Sequence, residues 1–168
     1  MDETTSQNFF SNVRWFNEFF LNMKILFDKI SNVIEKETYY NDKWIYYYKP
    51  TIYPSIPSTY FLGMEGEGQL KLQIIALFDD EFVKNSYLSI SEPSIMIIQH
   101  DNEDNSEYIG WNILENKAIN KIKEEDGLVS GILEWGDGIE FRSFLLPLDL
   151  FCKYDDNLVI EHIVRKLE

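Results

Sequence analysis

The chain has 168 residues, 45% hydrophobic and 26% charged, a balance suited to a single globular domain over residues 1–168, with residues 1–8 as a disordered polar tail. Fifteen Lys and Arg against 29 Asp and Glu give a net charge of −14, which makes direct nucleic-acid binding an unlikely role and argues against an anionic membrane surface. The lone cysteine, Cys152, closes no intrachain disulfide, the start Met1-Asp2-Glu3 does not read as a secretory leader, and no uncharged run approaches the roughly 20 residues of a bilayer span; a cytoplasmic location is expected.

Val13, Phe20, Phe27 and Ile34 recur every seven residues, interleaved with Phe9, Phe16, Met23 and Ile30, and this spacing predicts a helix over 9–36. A third row, Phe19, Leu26 and Val33, widens its apolar face to that of a helix lying on a sheet. Such a helix is roughly 40 Å long, comparable with the domain itself, so either the domain buries all of it, as amphipathic helices commonly are, or one end projects beyond the core and can be covered by a partner.

Seven of the ten tyrosines fall between Tyr39 and Tyr60, together with Trp44 and three prolines, Pro50, Pro54 and Pro57. Trp44 to Lys49 reads as a strand, and the prolines demote the next stretch of chain to an edge strand or an irregular crossing. Gln69 to Phe78 reads as a buried strand, after which Asp79 and Asp80 can cap a short helical turn carrying Phe82, Val83 and Tyr87.

Ser94 to His100 and Glu107 to Leu114 are expected as two strands of a hairpin joined by Asp101 to Ser106. Glu115 to Asp126 places Ala118, Ile119 and Ile122 at helical spacing and stops at Gly127, a natural C-cap. Leu128 to Trp135, the turn Gly136-Asp137-Gly138 and Ile139 to Leu146 form a second hairpin. Asp155 and Asp156 then cap a final helix that points Ile160, Ile163, Val164 and Leu167 inward. The expected fold class is α+β: a largely antiparallel sheet of about six strands, with the long N-terminal helix and the C-terminal helix packed on one face.

No pattern of catalytic residues stands out, and no cofactor or metal is expected. Asp101, Glu103, Asp104 and Glu107 crowd one loop beside His100, but EF-hand spacing fails because Ser106 stands where the glycine belongs and Asn112 where the bidentate glutamate belongs. His100, His162 and Cys152 are too few for a structural zinc site. There is no Gly-x-Ser-x-Gly elbow to present a nucleophile, and Cys152 reads as a small buried hydrophobe. The run Gly63-Met64-Glu65-Gly66-Glu67-Gly68 is flanked by anions and leads into a strand, so it reads as a flexible turn and not as a phosphate loop.

The Tyr/Trp-rich segment therefore supplies the leading expectation, a non-catalytic interaction or regulatory domain. It would bind a protein partner or self-associate as a homo-oligomer through Trp44, Tyr46, Tyr48, Tyr53 and Tyr60, since such rings give large contact area at low entropic cost. The same rings could instead cover the sheet edge of their own domain. A second expectation is an acidic decoy for a basic, nucleic-acid-binding protein, because residues 63–127 carry 14 acids against 5 bases. A third is a small enzyme or ligand-binding domain with a pocket between sheet and helices.

Overall fold

The computed structural model describes residues 3–38, 41–47, 59–65, 70–77, 88, 90–102, 107–116, 118–135, 137–151 and 155–168. Seven strands form one sheet: β1 (Asn41–Tyr47), β2 (Thr59–Glu65), β3 (Lys71–Leu77), β4 (Ser94–His100), β5 (Ile119–Glu125), β6 (Leu128–Leu133) and β7 (Ile139–Pro147). Their order is β1-β2-β3-β4-β7-β6-β5, and all six neighbouring pairs run antiparallel. The first four strands thus form one meander and the last three another, joined where β7 pairs with β4.

Strands β3 and β4 are buried along their whole length, so both faces of the sheet centre are covered. On one face lies α1 (Glu3–Glu37), whose Met23, Phe27, Ile30 and Ile34 pack with Leu72, Ile74, Ile95, Ile97 and Phe144. The alternating strand positions and the helical spacing meet here as periods 2 and 3.6 require. Full burial of each large side chain contributes on the order of 2 kcal/mol. The same cluster takes in the C-terminal helical run, α3 (Asp156–Val159), a π-helical segment (Ile160–Val164) and α4 (Arg165–Leu167). Asp155 starts that run as expected, its carboxylate accepting the Asn157 N–H at 2.9 Å. Ile163, Val164 and Leu167 are buried and Ile160 is half-buried.

The opposite face is covered by α2 (Glu107–Glu115), which buries Ile109, Ile113 and Leu114 against Ile75, Met96, Ile98, Val129 and Phe141. This corrects the expected hairpin of 94–114. Ile109 and Ile113 are spaced as alternating strand residues and equally as i, i+4 helical neighbours, and the helix is the form that lays both on the sheet.

The helix expected over Glu115–Asp126 is likewise a strand, β5. It carries a bulge: Asn120 faces Ile132 and Lys123 faces Ser130, so three residues advance along β5 while two advance along β6. The inserted residue leaves Ile119 and Ile122 three apart yet packed against the same cluster, a spacing that imitates a helix. Asp126 and Gly127, with φ of 52° and 74°, have the two left-handed residues of a tight hairpin turn between β5 and β6 and do not cap a helix. The sheet accordingly has seven strands where about six were expected. Two smaller differences are that α1 begins at Glu3, inside the expected disordered tail, and that Gly63 belongs to β2. The helical turn expected at Phe82, Val83 and Tyr87 lies outside the described residues.

Candidate functional site

The aromatic segment supplies the outer edge of the sheet. β1 is the terminal strand, and its register sets Trp44 opposite Met64, Tyr46 opposite Leu62 and Tyr47 opposite Phe61. Tyr60 sits one strand further in, opposite Ala76 of β3. The structure thus brings Trp44 and Tyr46 to one edge strand and places Tyr60 on its neighbour, whereas Tyr48 and Tyr53 lie outside the described residues.

At the other end of the sheet, across β4, β7, β6 and β5, lies a trough of about 400 Å³. Its polar lining includes Gln99, Lys121, Lys123, Ser130 and Arg142, with Asp101 and Glu140 also bordering it, and Leu70 and Ile132 add apolar surface. Arg142 occupies the same alternating set of β7 positions as Phe144 and Leu146, which places it on the α1 face. Its guanidinium donates from Nη1 to Gln99 Oε1 at 3.4 Å and from Nη2 to the Lys166 carbonyl at 3.3 Å, tying the sheet to the end of the C-terminal run. Asp101 Oδ1 accepts the Glu140 N–H at 3.1 Å, which fastens the end of β4 to the start of β7.

A second polar group is buried on the α2 face. Lys71, Gln73, His100 and Ser143 are all buried there. His100 Nδ1 accepts the Asn102 N–H at 3.3 Å. Ser143 Oγ has no hydrogen-bond partner among the described residues, in surroundings that include Val129 and Ile98 as cross-strand neighbours.

The acidic loop considered for metal binding is only partly described: Asp101 is exposed and engaged with Glu140, while Glu103 and Asp104 lie outside the described residues. Among the described residues no group of three or more His, Cys, Asp or Glu could hold a metal ion. Cys152 also lies outside them, and His162 is half-buried in the π-helical segment. Of the acidic clusters, Asp79 to Glu81 are not described, and Glu124, Glu125 and Asp126 are exposed directly after Lys121 and Lys123, so cations interrupt the acidic surface at this edge.

No local sequence pattern gathers the trough. Its cations come from one strand mistaken for a helix and from a second strand far along the chain, although the rarity of Lys in the acidic stretch 63–127 was a usable signal. Comparison with models of protein families, with curated proteins and with solved structures finds no match. Among the described residues no helix is long and apolar enough to cross a membrane.

Proposed function

We propose that this protein is a non-catalytic interaction domain that pairs with a second copy of itself, or with a strand of a partner protein, along the sheet edge at β1. The observation that supports this reading is the position of β1. It is the terminal strand, and among the described residues β2 is its sole ladder partner. An edge strand presents a row of backbone donors and acceptors that an added strand can pair, and flanking aromatic side chains supply affinity and register. The strand carries the aromatic run Trp-Ile-Tyr-Tyr at 44–47 with no proline among its seven residues, although Asp42 and Lys43 precede that run.

Sedimentation velocity tests the reading directly. The native chain should show a concentration-dependent dimer, and Trp44→Lys with Tyr46→Lys should remain monomeric with an unchanged far-UV circular dichroism spectrum. If the chain is monomeric and all β1 amides are equally protected from hydrogen exchange, the edge is covered by the chain itself and the reading fails.

A further inference from the structure

The trough at the β5 end of the sheet is built at a conformational cost. The β5 bulge sets Lys121 and Ile122 together against Gly131, and Lys121 has a left-handed φ of 53°, a region that costs a non-glycine residue about 1–2 kcal/mol. The extra residue sends Ile122 into the α2-side cluster while Lys121 lines the trough. It also brings Lys123 into line with Ser130 on the trough side, since a one-residue change of register exchanges the faces of every residue beyond it.

The result is a concentration of positive charge. Lys121 and Lys123, both exposed, meet half-buried Arg142 in one concavity. In a chain with 29 acidic residues, none of these three cations has an ion-pair partner among the described residues. The bordering carboxylate of Asp101 is instead engaged by a backbone N–H. Three cations against the two carboxylates of Asp101 and Glu140 leave the concave site net positive, which favours a compact anion: the Arg142 N–H groups not engaged by Gln99 and the Lys166 carbonyl can donate to phosphoryl oxygens, and the lysines add point charge. Asp101 and Glu140, in the same trough, oppose a second anionic group and are acceptors suited to hydroxyl donors. The volume, about 400 Å³, lies within the range of small-molecule sites.

We propose that this trough binds a small phosphate monoester of a polyol, its phosphate held by Lys121, Lys123 and Arg142 and its hydroxyls by Glu140 and Asp101. The chemistry is shared by a sugar phosphate and a nucleoside monophosphate. This site does not depend on pairing at β1, which lies at the opposite edge of the sheet.

Titrations monitored by amide chemical shifts and calorimetry at low ionic strength test the proposal with four probes: ribose 5-phosphate, adenosine monophosphate, inorganic phosphate and ribose. At least one ester should shift the amides of Lys121, Ser130, Gly131 and Arg142, binding about tenfold or more tightly than inorganic phosphate, and ribose should produce no shift. Tighter binding of ribose 5-phosphate identifies a sugar phosphate as the ligand type, and tighter binding of the nucleotide identifies the nucleoside ester. Lys121→Ala with Lys123→Ala, both solvent-exposed positions, should weaken the preferred ester by about tenfold or more with the urea unfolding midpoint unchanged. Glu140→Gln should narrow the margin between that ester and inorganic phosphate. Absence of shifts up to about 10 mM ester, equal affinity for inorganic phosphate, or undiminished binding by the double lysine variant would overturn the proposal.

Discussion

The two faces of this sheet are closed by opposite means. On one, the 35-residue α1 and the C-terminal run press a broad set of apolar side chains onto β3, β4 and β7. On the other, the nine-residue α2 offers little area and gains burial by proximity. Its Gly110 lies so near the sheet that a Cβ there would collide with Ile75 Cδ1. The long helix tolerates a polar residue in its buried face because Ser31 Oγ donates to the carbonyls of Phe27 and Asp28 at 2.6 and 3.0 Å. On the short helix's side the buried polar residues are on the strands instead, Gln73 among them with its Oε1 near Gly110. A long amphipathic helix can thus be read as an area, whereas a short one works only at a fixed distance.

Three substitutions would break or sharpen this contrast. Phe27→Ala removes a fully buried ring from the centre of the α1 face and should cost about 3–5 kcal/mol, read as a fall in the urea midpoint at constant slope. A loss under about 1 kcal/mol would show that α1 is not what closes that face. Gly110→Val puts a Cβ against the Cδ1 atoms of Ile75 and Ile98 and adds two further methyls, and should cost about 1–3 kcal/mol, with slowed or broadened packing signals confined to α2 and its contacts. Stability equal to the native chain would mean that α2 has room to lift. Ser143→Ala should be the mildest, between neutral and a gain of about 1 kcal/mol, because the hydroxyl is buried without a partner among the described residues. A clear destabilisation in the same unfolding assay would show that this oxygen is satisfied after all.

The residues explain which parts of this architecture were legible beforehand. α1 was readable because three apolar rows repeat over four heptads, and the final helix because Asp155 caps it and Ile163, Val164 and Leu167 come after it at helical spacing. The β6–β7 hairpin was readable from its glycine turn, with Leu133 paired to Ile139 as the strands close. The errors fall where one local pattern serves two structures. Ile109 and Ile113 suit a strand or a helix, and the bulge at Lys121 and Ile122 gives a strand the apolar spacing of a helix. Asp126-Gly127 meets the φ > 0 requirement of a hairpin turn as well as that of a helix C-cap.

Composition and periodicity alone determined an acidic α+β chain with a long first helix, because hydrophobic patterns of sufficient length leave one secondary structure that can bury them. The place of β7 between β4 and β6, the sheet-edge position of β1 and the meeting of Lys121, Lys123 and Arg142 were decided by tertiary pairing. Strand order and register depend on contacts between residues distant in the chain, and no local window contains them.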